Sequence, residues 1–131
     1  MQDRPTAIEL LTSVREFLEL DVLPGLEGRK RFHALVAANV LAIVGRELRD
    51  EEATLVAEWT RLATLFGRPG DAAPERLAAL RAAVAELTEE LCARIRRGDA
   101  DASPFREAVR AAVTASIAEK LAVANPRFTA P

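Results

Sequence analysis

The stretch "GRKRFHALVAANVLAIVGREL", residues 28 to 48, decides how the chain is read. At 100° per residue, Phe32, Val36, Val40, Ile43 and Val44 fall on one helical face, and Leu35 and Leu41 widen it on both sides. Ala34, Ala38 and Gly45 make up most of the remainder. A helix apolar nearly all round is a central one with neighbours on several sides, and its small residues let another backbone come close. Two polar residues interrupt the pattern: His33, the chain's single histidine, and Asn39. They stand about 120° apart around the helix and flank the apolar face from opposite sides. Two readings stay open. Either each is a bonded polar group at a helix–helix boundary, with Arg29, Glu47 or the Asn125–Arg127 tail as partners, or each faces a ligand or a protein partner. An unpaired polar group in such a boundary would cost about 1–3 kcal/mol, so the first reading requires a bond for both.

Upstream, Thr6 and Glu9 have capping-box spacing, and Leu10, Leu11, Val14, Phe17 and Leu18 form an apolar stripe. They predict a helix from Thr6 to Val22, ended by "LPGLEG" because Pro24 disfavours helical geometry at Leu23. Downstream, Asp50 reads as an N-cap, with Glu51 and Glu52 at the positive end of a new helix dipole. Leu55, Trp59, Leu62 and Phe66 follow at spacings of 4, 3 and 4, so Trp59 is read as core. Glu47 would then lie at the negative end of the preceding helix, where a carboxylate calls for an arginine such as Arg61 or Arg127.

"GRPGDAAP" (67 to 74) is the clearest break, a linker rather than a domain boundary. A helix from Pro74 to Arg97 carries Leu77, Leu80, Val84, Leu87 and Leu91, with arginines 94, 96 and 97 at its negative end and Gly98 as its stop. Ser103 as N-cap and Pro104 at the first position open a last helix, whose stripe is Phe105, Val109, Val113, Ile117 and Leu121. The expectation is an all-α fold: an antiparallel bundle of about five helices, one domain over residues 1–131, at least roughly 70% helical.

Composition removes several classes of function. The 131 residues are half apolar and 29% charged, with a net charge of −2. Both signs are interspersed, so the concentrated basic surface that nucleic-acid binding requires is not there. Cys92 is the only cysteine and builds neither an internal disulfide nor a zinc site. No segment approaches the length of a membrane span, and "MQDRPTAIELL" lacks the basic and apolar regions of a signal peptide; a cytoplasmic location is expected. No Glu-x-x-His pair, G-x-S-x-G elbow, phosphate-binding glycine loop or G-x-G-x-x-G fingerprint occurs. His33 and Cys92 are far apart in sequence, and a helix-interior cysteine reads as a small core residue. The chain is therefore read as non-enzymatic, with no catalytic residue, metal or cofactor.

The segments "RPTAIELLTSVREFLELDVLPGLEG", "RFHALVAANVLAIVGREL", "LCARIRRG" and "KLAVANPRF" occur in this order. Together, from Arg4 to Phe128, they resemble a family of uncharacterised bacterial all-helical domains associated with acyl-CoA dehydrogenases and aminoglycoside-phosphotransferase-like kinases. The resemblance implies an accessory or interaction domain working with an acyl-CoA dehydrogenase or a kinase-like partner. It carries over no reaction, cofactor or catalytic residue. His33 and Asn39, with Asn125, Pro126 and Arg127, stand where the resemblance is strongest. His33, Asn39, Asn125 and Arg127 are accordingly the candidate ligand- or partner-binding residues. The alternative is a bundle that binds a small acyl-type ligand, with His33, Asn39 and Arg127 converging on an apolar pocket. A homodimer is also expected, because an apolar face of the 28–48 helix remains uncovered unless both terminal helices pack on it.

Overall fold

The structure, a computed structural model, describes residues 4–128. It is 82% helical, and no strand occurs among the described residues. Four α-helices are present there: α1 (Ala7–Phe17), α2 (Gly28–Leu65), α3 (Leu77–Arg96) and α4 (Phe105–Ala124).

The capping box at the start of α1 is formed as its spacing predicts. Thr6 Oγ1 accepts from the Glu9 amide at 3.2 Å, and the Glu9 carboxylate accepts from the Thr6 amide at 2.7 Å. The helix then widens into a π turn over Leu18–Val22, closed by the Leu23 amide on the Leu18 carbonyl, and a 3₁₀ turn over Leu23–Gly25 follows. Leu23 keeps helical angles ahead of Pro24, contrary to expectation, and the backbone becomes extended only at Leu26. Arg31 ties this turn to α2 by donating to the Leu23 carbonyl at 2.8 Å.

The largest departure from the sequence reading is that residues 28–48 and 50–66 do not form two helices. They are one helix of 38 residues. An N-cap works only where the backbone leaves helical angles. Between Glu47 and Glu52 there is no glycine or proline to force that, and Glu, Leu and Arg all propagate a helix well. The negative end of the dipole therefore lies at Leu65, and Glu47 is an exposed mid-helix residue with no dipole to offset. At that true end the Arg68 amide bonds the Ala63 carbonyl and the Gly67 amide bonds the Thr64 carbonyl, a Schellman arrangement. It needs a left-handed residue at its turning point, and Gly67 supplies it with φ of 75°.

The chain divides into two compact units. Among the described residues, the first runs from Arg4 to Glu51 and takes in Val123–Asn125; the second is Glu52–Ala122 with Pro126–Phe128. The second unit holds the larger core: Trp59, Leu62 and Ala63 of α2, Leu80, Val84, Leu87 and Leu91 of α3, and Val109 of α4. These are the expected stripes of the 50–66 and 74–97 segments, with Leu55, Phe66 and Phe105 partly buried against them. The α4 stripe is buried only at its start, since Val113 and Ile117 are exposed.

Arg94 does more here than complement a dipole. Its guanidinium lies 4.4 Å from the Phe105 ring centre and 5.4 Å from that of Phe66, while its Nε donates to Asp99 at 3.2 Å. Each cation–π contact contributes about 0.5–2 kcal/mol, so Arg94→Ala is expected to lower stability by about 1–3 kcal/mol, with Arg94→Lys restoring little. The Arg94 hydrogen bond, helped by Arg97, holds the Asp99 carboxyl below the usual carboxylate range, although desolvation acts the other way. A depressed carboxylate stabilises the fold above its unfolded pKa and loses that contribution as pH falls through the folded value. Acid titration of stability should therefore show a smaller Asp99 part in Arg94→Ala, with Arg97 supplying what remains. Equal acid profiles for the two proteins would contradict this.

Candidate interaction surface

In the first unit the small residues of α2 are buried and the large ones are not. Ala38 is 3% exposed and Gly45 is buried, whereas Phe32 is 61% and Val40 50% exposed. Leu35, Val36, Val44 and Leu48 are exposed as well, and Ile43 is half-buried. The apolar face expected to enter the core is thus directed outward. Its cause is local: α1 lies against the small-residue side, where Leu11, Thr12 and Arg15 line a cavity of about 250 Å³ with Ala42, Gly45 and Arg46. The approach is not tight, since a Cβ at Gly45 would meet nothing within 4 Å; α1 covers this side of α2 across the cavity.

The same inversion holds for α1. Leu11 is half-buried on the α2 side, while Leu10, Val14 and Phe17, at helical spacing, are more than half exposed, as is Leu20 in the π turn. Burying even one such side chain is worth about 1.5–3 kcal/mol. Leaving a stripe of them on each helix is what an association surface looks like, because monomers rarely expose apolar patches of this extent.

The four candidate site residues are all exposed. His33 Nε2 accepts from Arg29 Nε at 3.1 Å, one of the partners expected for it, but as a surface pair within one helix. Its ring meets Phe32 edge-on at 5.8 Å. Asn39 lies six residues further along α2, about 9 Å of helical rise away. Asn125 falls in the first unit and Arg127 in the 3₁₀ turn Pro126–Phe128 of the second. Since His33 is not a core residue, His33→Ala should change stability by less than about 0.5 kcal/mol. A denaturant midpoint shifted by more than about 1 kcal/mol would contradict that placement.

The second unit has a groove of about 550 Å³ between α2 and α4, lined by Thr60, Thr64, Leu65, Phe105, Ala108 and Ala112 among others. Its hydroxyls turn back to their own helix, Thr60 to the Val56 carbonyl and Thr64 to the Thr60 carbonyl, each at 2.8 Å. Arg61 at its edge is engaged by both carboxylate oxygens of Glu119, with Ser116 at 3.4 Å. That pairing replaces the Glu47 contact expected for Arg61. None of the four candidate residues lines either cavity. Cys92 is half-buried on α3. Among the described residues no three His, Cys, Asp or Glu side chains are placed to share a metal ion, and no helix is long and apolar enough to cross a membrane.

Sequence reasoning expected an uncovered apolar face on this helix but did not identify it as the one carrying Phe32, Val36, Val40, Val44 and Leu48. The available signal was the small-residue strip on the opposite side of the same helix. No curated protein and no solved structure matches the chain. A family model does match residues 24–128, which takes in α2, α3 and α4 but not α1. The chain belongs to the family described as Domain of unknown function (DUF6285).

Proposed function

We propose that the protein is a non-catalytic interaction domain whose first unit is a protein-docking element. One observation carries this reading: α1 and α2 turn their large apolar side chains outward, while Leu23, Ala38 and Gly45 are the buried residues described in that unit. A helix pair with so little interior gains its stability from what covers it. The resemblance noted above names the partner classes, an acyl-CoA dehydrogenase or an aminoglycoside-phosphotransferase-like kinase. The test is reconstitution of the purified chain with each of these proteins from the same genome. A complex is expected that Val14→Asp and Phe17→Asp, both on the exposed α1 stripe, weaken at least tenfold. Absence of a complex with either class would defeat the partner assignment.

The groove of the second unit favours a second reading, binding of an acyl-type ligand, because its lining is mostly apolar. Titration with a long-chain fatty acid and its CoA ester would show saturable heat that Ala108→Trp removes. No saturable binding would dismiss it.

A further inference from the structure

The recess between α1 and α2 gathers charge of one sign. Arg15 of α1 and Arg46 and Arg49 of α2 line the same cavity of about 250 Å³, and no carboxylate lines it. Helical spacing brings them there: Ala42, Gly45, Arg46 and Arg49 share one side of α2, and Thr12 and Arg15 stand three apart on α1. In a chain of net charge −2, three guanidiniums around one small cavity are a local excess. Among the described residues one carboxylate meets them, Glu19 at 4.0 Å from Arg15. Arg46 donates from Nε to the Val123 carbonyl at 2.7 Å, which holds the guanidinium in place and uses one of its five N–H donors. Arg49 is exposed and has neither a carboxylate nor a hydrogen-bond partner among the described residues. The cavity also has open room. Gly45 is buried, yet a Cβ there would meet nothing within 4 Å. Glycine inside a helix is destabilising relative to alanine, and no packing within this chain forbids a side chain at this position. What its absence leaves is space beside the arginines.

We propose that this cavity binds a phosphate-type oxyanion, a doubly charged tetrahedral group that is either free or carried by a small monoester. Charge, shape and size each point there. Glu19 offsets one positive charge at a loose distance and two remain, which a dianion balances; a phosphate group carries about −1.5 to −2 at pH 7. Guanidinium forks match the oxygens of phosphate and carboxylate in pairs. Three forks and the Thr12 hydroxyl exceed what the oxygens of one carboxylate can use, and they suit those of a tetrahedral anion. A cavity lined by one sign of charge also concentrates the opposite ion. Its volume of about 250 Å³ is below the roughly 300–1,000 Å³ of pockets for drug-sized ligands, so it takes an anionic group rather than a nucleotide or an acyl chain. Because the donors come from both helices, the bound anion clamps α1 to α2. The site uses the covered side of α2 and not the exposed apolar faces, so it does not rest on the docking reading above.

Titration calorimetry with inorganic phosphate, at an ionic strength held constant with chloride, tests it. One saturable site is expected, with sulfate competing and acetate weaker by about tenfold or more. Arg49→Gln, at an exposed position, should weaken phosphate by about tenfold or more, and Arg49→Lys should recover only part of that, since a point charge replaces a fork. Gly45→Leu should fill the cavity and remove binding with an unchanged helical circular dichroism signal. Arg68→Gln, exposed beyond the end of α2, should bind as wild type does. Glycerol phosphate binding as tightly as inorganic phosphate shows that the site takes a monoester, and binding of inorganic phosphate alone shows that it takes the free ion. Either meets the proposal. No saturable phosphate binding overturns it, and so does an affinity that Arg49→Gln leaves unchanged. The effect of Val14→Asp and Phe17→Asp on complex formation is a separate reading, so a failure here leaves the docking element standing.

Discussion

Leu80→Ala is expected to remove about 3–5 kcal/mol of stability, the largest single-residue loss in the chain outside its aromatic residues. Leu80 is 1% exposed and sits at the centre of the second unit's core, between the α2 residues Trp59 and Leu62 and its own helix neighbours Val84 and Leu87. The loss combines the transfer free energy of the missing methyl groups with a cavity that rigid neighbours cannot fill. Set against a typical total of about 5–15 kcal/mol, it is a large fraction of the stability of an ordinary domain. Leu10→Ala is the matched comparison, since Leu10 is 53% exposed. The same change there should cost less than about 1 kcal/mol in the isolated chain. Urea denaturation of both variants checks the contrast, and similar midpoints would mean that Leu80 is not the packing centre.

Glu119→Ala should cost about 1.5–3 kcal/mol, more than its place near a helix surface suggests. The Glu119 carboxylate meets Arg61 through two parallel hydrogen bonds, and the two side chains are only 25% and 30% exposed. Such a forked pair is stronger and more directional than a point contact. Removing the carboxylate leaves the guanidinium with Ser116 alone among the described residues, where Arg61 Nε is already buried without a partner. The cost is therefore that of stranding a half-buried cation, and Arg61→Met combined with Glu119→Leu should recover most of it. Lys120–Glu58 provides the control. Its atoms are 3.7 Å apart and the lysine is 71% exposed, so although Glu58 is only 12% exposed this single, loose contact should make Lys120→Ala cost about 1 kcal/mol or less, below Glu119→Ala. Thermal denaturation of the three variants decides the ranking. A Lys120 effect as large as that of Glu119 would contradict it.

Where a helix packs against a partner within the chain, its sequence was readable. Trp59 and Leu62 with Leu80, Val84, Leu87 and Leu91 appear as stripes with spacings of 3 and 4, and those residues form the core. Thr6 and Glu9, Gly67 and Gly98 likewise announce their caps and turns, because each acts through its own backbone neighbourhood. Periodicity says which residues share a face, but not what covers that face. Val36 and Val84 are equivalent as pattern, yet one is exposed and the other buried. What differs is the neighbour: α1 covers the Ala42 and Gly45 side of α2, and Val36 lies on the other side. His33 stayed between two readings for the same reason: a polar residue beside an apolar face is a core group only if that face is the core, and His33 is exposed. Likewise, the acidic run at Asp50 resembles a helix start, but nothing there ends the preceding helix.

The central claim, that the outward apolar faces of the first unit are covered by protein when the chain works, is tested most directly by photo-crosslinking in cells. A photoreactive phenylalanine at Leu35, 46% exposed on the α2 face, and another at Val14, on the α1 stripe, would report contact at each surface. The same residue at Glu90, an exposed polar position on α3, serves as control. Discrete adducts of defined mass are predicted from positions 35 and 14 and not from 90. Adducts absent at both apolar positions, or no different from those at Glu90, would contradict the account.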